Sequence, residues 1–269
     1  MRTPDNLPRM DLELTGRRAV VTGGSRGIGL AIGRALVAEG VDVALVARTE
    51  DVLERAAADV ARESGRTVIG VPADTGDDAS VATMVGLVVA QLGGVDILVN
   101  AAATPATGAP FTDDDLEHEV NVKVRGYLRC ARAVAPLMVE SGWGRIVNIA
   151  GLAARSTGNI VGTVRNVAVV AMTKNLADEL GPRGVNVTVV HPGMTRTERT
   201  PEAMAAMAQS RGITADELER ALESGVSIGR LVTAEEIGSV VAFLASPKSV
   251  ALNGDAVVAG GGARGSIHY

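Results

Sequence analysis

Short runs of β-branched and apolar residues alternate along the chain with longer stretches in which apolar positions recur at helical spacing. The runs at 19–21, 43–46, 67–71, 97–99, 146–149, 187–190 and 256–258 read as strands. Their near-continuous apolar character is that of strands covered on both faces, so they predict a parallel sheet with helices on either side. Helices are expected to begin near Ile28, Glu50, Asp78, Thr112, Asn159 and Ala234, with another within 201–224. Thr112, followed by Asp113, Asp114 and Asp115, is a strong N-terminal cap whose charges suit the helix dipole. The fold class is therefore α/β, a doubly wound parallel sheet of about seven strands. Residues 1–269 form one domain, and the polar insert at 194–228, before the last strand, is placed to act as a substrate-side lid.

A length of 269 residues with 46% hydrophobic content is enough for one domain with a large core. The net charge of -5 and the lack of any Lys/Arg-rich run argue against nucleic acid or an anionic membrane as partner, which leaves a small molecule. Cys130 is the only cysteine, so neither an internal disulfide nor a cysteine metal cluster is expected, and no metal site is read elsewhere. The N-terminal MRTPDNLPRMDLELTG has no apolar signal region, and no segment reaches the roughly 18 apolar residues of a membrane helix. The expected location is the cytoplasm.

The strongest motif is TGGSRGIG, Thr22 to Gly29, where the first strand ends and the first helix begins. Gly23 permits the tight turn, Gly27 lets backbone approach a pyrophosphate, and Gly29 lets helix and sheet pack closely. Ser25, Ile28 and the helix N-terminus add donors for phosphate oxygens. This is a Rossmann-type dinucleotide site. The second strand ends in Ala47-Arg48-Thr49, with no acid to hold a ribose 2′-hydroxyl. Arg48 and Arg26 instead offer guanidinium groups to a 2′-phosphate, which favours NADP(H) and leaves NAD(H) as the alternative.

The chain resembles the short-chain dehydrogenase/reductase family over nearly its whole length. Asp74-Thr75 resembles the family's adenine-contacting pair, and Asn100-Ala101-Ala102 its Asn-Ala-Gly motif. Pro192-Gly193 with Thr195 and Thr197 resembles the segment that borders the nicotinamide. Asn121, in EVNVKVRG, matches the asparagine that helps hold a catalytic water. His191, just before Pro192, reads as structural. The resemblance further implies a homo-oligomer, a tetramer or a dimer, paired through the helices that carry Asn121 and Asn166.

The resemblance also implies a serine at the end of the fifth strand and a Tyr-x-x-x-Lys at the start of the helix after it. Here the strand reads IVNIAG, ending in Ala150 and Gly151. The helix is placed by AMTKNLADEL, Ala171 to Leu180, and an insertion inside it would rotate everything beyond by about 100° per residue. Counting back puts Gly162 at the tyrosine position and Asn166 at the lysine position. Asn166 can bond a ribose hydroxyl but carries no charge.

Three functions remain open. One is an oxidoreductase whose substrate needs no tyrosine, with Arg165, Ser156, Thr163 or a water on Asn121 stabilising developing charge. The second is a lyase or isomerase on the same scaffold, and the third a silent dinucleotide-binding or partner subunit. Gly260 to Gly262 end the last strand, and the tail with His268 and Tyr269 reads as exposed.

Overall fold

The computed structural model describes residues 10–104 and 111–265. Its strands are β1 (Arg18–Thr22), β2 (Asp42–Ala47), β3 (Val68–Pro72), β4 (Ile97–Asn100), β5 (Gly144–Ile149), β6 (Val185–Pro192), the two-residue β7 (Thr195–Arg196) and β8 (Val232–Thr233), and β9 (Ala256–Ala259). Seven of them form one parallel sheet in the order β3-β2-β1-β4-β5-β6-β9. Each of the seven predicted strands is present, with ends that differ by two residues at most; β3 begins at Val68 rather than Thr67.

Alternation along each strand sends neighbouring side chains to opposite faces. Val21, Leu45 and Val99 pack with one set of helices, α1 (Gly27–Ala38), α2 (Glu50–Ser64) and α9 (Ala234–Leu244). Val20, Val46 and Leu98 pack with the other, α3 (Asp78–Leu92), α5 (Gly126–Ser141) and α6 (Ile160–Leu180). The apolar runs in the sequence are apolar because both faces are covered.

The helix expected from Thr112 is present but not uniform. Thr112 closes a capping box with Asp115 at the start of α4 (Asp113–Glu119), and a π-helical turn at Val120–Arg125 leads into α5. That turn keeps Glu119, Lys123 and Tyr127 all pointing inward, and widened turns of this kind recur at functional sites. The insert holds two helices, α7 (Thr200–Arg211) and α8 (Ala215–Ser224), around a small core of Met204, Ala208, Leu218 and Leu231. The β7–β8 ladder frames it. His268 and Tyr269 lie outside the described residues.

The strand order reverses between β1 and β4, where Thr22 pairs with Asn100. At such a switch point the helices diverge to opposite faces and leave a crevice at the carboxyl ends of the strands.

Candidate functional site

The crevice is a cleft of about 710 Å³. Its wall begins where β1 meets the loop after β4: Thr22 Oγ1 accepts from the backbone N–H of Ala101 (3.0 Å) and Ala102 (3.2 Å). Two glycines are dictated by close approach. A Cβ on Gly23, whose φ is 69°, would lie 2.8 Å from Ala101 O, and one on Gly29 would lie 2.2 Å from Gly23 O. Helix α1 has no side-chain cap from Arg26, and the Gly27 N–H donates instead to Glu198 Oε1 at 3.0 Å. A carboxylate at this helix N-terminus sits where the dipole and free donors favour any anion.

Of the residues expected at a cofactor, Gly23, Ser25, Arg26, Gly27, Ile28, Gly29, Arg48, Thr49, Asp74, Thr75, Ala101, Ala102, Thr195 and Thr197 line the cleft. Ala203, Met204, Ala206 and Met207 of α7 face them. The others lie deeper. Asn100 is fully buried and donates to Asn148 Oδ1 (3.0 Å) and Tyr127 O (3.3 Å), pinning β4 to β5. Pro192 is buried, and Gly193 packs so closely that a Cβ there would lie 3.1 Å from Gly260 Cα. The Asn121 side chain is turned away from the cleft. It donates to Gly76 O at 3.2 Å and accepts from Arg129 at 3.0 Å, holding the β3–α3 loop.

Gly151 and Asn166 do not line the cleft but meet where β5 ends beside α6: a Cβ on Gly151 would touch Asn166 Nδ2 at 3.4 Å. Asn166 is buried, and its Oδ1 has no hydrogen-bond partner among the described residues. Gly162 donates its N–H to Asn159 Oδ1 (2.7 Å), which caps α6. Thr163 Oγ1 donates to Ser156 O, and Ser156 Oγ donates to Leu152 O, so both hydroxyls bind their own loop. His191 is buried with Nδ1 at 2.9 Å from Gly151 O.

Two charged residues unread in the sequence reach this region. Lys123 donates from Nζ to Ala150 O at 2.9 Å, and burial lowers its pKa to about 7. Glu119 binds Arg165 in a buried ion pair and accepts from the Thr104 hydroxyl, while Arg165 also donates to Thr104 O at 3.0 Å. Burial holds the Arg165 guanidinium below its ordinary pKa, although it stays charged at any working pH. The available signal was the four-residue spacing of Glu119, Lys123 and Tyr127 among valines. Asn121, on the same segment, faces the β3–α3 loop instead.

Among the described residues no group of three or more His, Cys, Asp or Glu could hold a metal ion, and no helix is long and apolar enough to cross a membrane. The family model described as Enoyl-(Acyl carrier protein) reductase matches residues 23–264. The short-chain reductase protein NovJ of Streptomyces niveus is 35% identical over 247 residues, covering 91% of this chain and 92% of the relative. The L-sorbose reductase of Gluconobacter frateurii, solved with NADPH and L-sorbose, superposes with a TM-score of 0.90 at 28% identity, covering 96% of this chain and 100% of the other. An NAD+-bound xylitol dehydrogenase superposes at 0.87 with 26% identity, covering 93% and 100%. The seven-stranded parallel sheet, the glycine turn at its switch point and a family match across almost all of the sequence agree: the chain belongs to the short-chain dehydrogenase/reductase family.

Proposed function

We propose that this chain is an oxidoreductase that uses NADP(H), with NAD(H) the weaker alternative, on a small molecule whose reaction runs without the Ser, Tyr and Lys side chains its family places at the centre. The observation that carries this reading is an open dinucleotide cradle lined by the glycine turn and both arginines, together with Gly151 meeting Asn166 where β5 ends and Gly162 in the first turn of α6. The residues fit the cofactor. Arg26 and Arg48 are exposed on the cleft wall and make no ion pair among the described residues, which suits a 2′-phosphate. The N-terminus of α1 suits the pyrophosphate once Glu198 yields it. The orphaned Asn166 Oδ1 suits a ribose hydroxyl.

When bound, the nicotinamide supplies or accepts a hydride. The chain orients it, covers it with α7, and offers no side-chain hydroxyl at Gly151 or Gly162 to move a proton. A positioned proton donor is commonly worth about 100- to 10,000-fold in rate, so this reading predicts poor reduction of simple ketones and favours acceptors such as iminium carbons. Titrating the protein with NADPH by fluorescence, then following oxidation across ketones, imines and activated alkenes, tests it. Saturable binding with turnover of an imine or alkene is expected. Absence of binding sinks the reading, and binding with no turnover on any acceptor leaves the silent-subunit function in its place.

Arg48→Asp checks the cofactor preference separately. It is expected to weaken NADPH at least tenfold, roughly, while strengthening NADH, because a carboxylate repels a 2′-phosphate and accepts from a 2′-hydroxyl. An unchanged ratio of the two affinities would remove Arg48 from the proposal.

A further inference from the structure

We propose that Lys123 is the cationic group of this reaction centre, delivered from the π-helical turn before α5 rather than from α6, and that its charge discriminates between oxidised and reduced nicotinamide. The proposal deepens the reading of the cleft as an NADP(H) site and rests on it.

Three observations converge. First is place. Val122 lines the cleft, and the next side chain, Lys123, carries its ammonium to Ala150 O at the end of β5. The adjoining residue, Gly151, is the one Asn166 abuts from α6. A lysine and an asparagine thus approach one peptide from two neighbouring helices. The family resemblance assigns the lysine to α6, where this chain has Asn166, so here a lysine reaches that peptide from the turn before α5 instead.

Second is cost. Lys123 is 4% exposed, and among the described residues a backbone carbonyl is its sole hydrogen-bond acceptor. Such a charge is expensive to bury, and a methionine would fill the space without that penalty. The nearby carboxylate, Glu119, is committed to Arg165 and Thr104. An ammonium held without a counter-ion among the described residues, one position from a residue that lines the cleft, is poorly explained as packing and well explained as a charge kept for a ligand.

Third is electrostatics. Desolvation brings Lys123 close to neutrality in its titration, with a pKa of about 7. The ionisable groups on the elements packed around it do not compensate. Glu119 and Arg165 neutralise each other. Tyr127, its ring centroid 6.0 Å from Nζ, donates its hydroxyl to Ile149 O, and burial raises its pKa. Burial likewise pushes the Cys130 thiol up to about 12. His191 binds Gly151 O on the far side.

The ring of NADP+ is positive and that of NADPH is neutral. A protonated Lys123 therefore disfavours NADP+, and loss of its proton as pH rises through about 7 relieves the repulsion. By linkage, NADP+ must lower the pKa of Lys123 relative to the NADPH complex.

The chain has three lysines, and Lys174 and Lys248 are exposed at the surface, so an NMR titration with isotope-labelled lysine Cε singles out Lys123 in the unaltered protein. The expected result is a Lys123 midpoint near 7 in the free protein, lower with NADP+ than with NADPH. In parallel, the ratio of the Kd for NADP+ to that for NADPH should fall roughly fivefold as pH rises through that midpoint. Lys123→Met should flatten that dependence, and Lys123→Arg should hold the ratio high throughout. A Lys123 midpoint indifferent to which nucleotide is bound, or a Lys123→Met protein that keeps the pH dependence, overturns the inference alone. If neither nucleotide binds, the underlying NADP(H) reading falls and takes the inference with it.

Discussion

Gly29→Ala is expected to remove dinucleotide binding almost completely, by roughly a hundredfold or more, and to destabilise the protein by about 3 kcal/mol. The added methyl carbon would stand 2.2 Å from Gly23 O and 2.7 Å from Gly23 C, both backbone atoms of the turn that the motif builds. No side chain can swing aside to make room. Helix α1 must move off the turn, which pulls its N-terminal donors from the cleft and loosens its packing against the sheet. The same substitution at Gly86 is the control. That glycine lies inside α3 with nothing within 4 Å of its Cβ position, so alanine there should stabilise by up to about 1 kcal/mol through helix propensity. Urea unfolding gives both signs, and NADPH titration gives the loss of binding. A Gly29→Ala protein of native stability and affinity would show that the close approach is not real.

The second large effect is expected at the Glu119–Arg165 pair. Their side chains are 3% and 9% exposed, and the pair joins α4 to α6 across the inner end of the cleft. Glu119→Gln leaves a guanidinium buried without its counter-charge, which typically costs about 3 to 5 kcal/mol. For a chain of this size that lowers Tm by about 10 °C. Replacing both partners with apolar residues of similar volume, Glu119→Leu with Arg165→Met, should recover most of the loss, because no unpaired charge remains. If the double variant is as unstable as Glu119→Gln, the loss belongs to packing rather than to charge. Arg165 Nε has no partner among the described residues, so the pair is incompletely satisfied and its removal is the more tolerable.

The inner strands were legible because each is buried on both faces, which writes a continuous apolar run into the sequence irrespective of its partners. The cap at Thr112 and the glycine turn were legible for a related reason, since both are local and their residue types follow from backbone geometry within a few positions. Gly162 and Asn166 both lie on the buried side of α6.

The inner end of the site was not legible in the same way. Asn121 and Lys123 stand two residues apart, and only the π-helical turn decides which of them faces the cleft side and which the β3–α3 loop. That turn carries no sequence signature of its own, because it is selected by how α4, α5 and α6 pack together. Arg165 illustrates the same point. As a residue type it could have pointed to solvent or to substrate, and it turns inward because Glu119, far away along the chain, is brought beside it. The sequence by itself determined the sheet and the dinucleotide turn, both set by local backbone and burial rules. The tertiary structure decided which charges reach the inner end of the site, because long side chains find their partners only when distant helices are packed against one another.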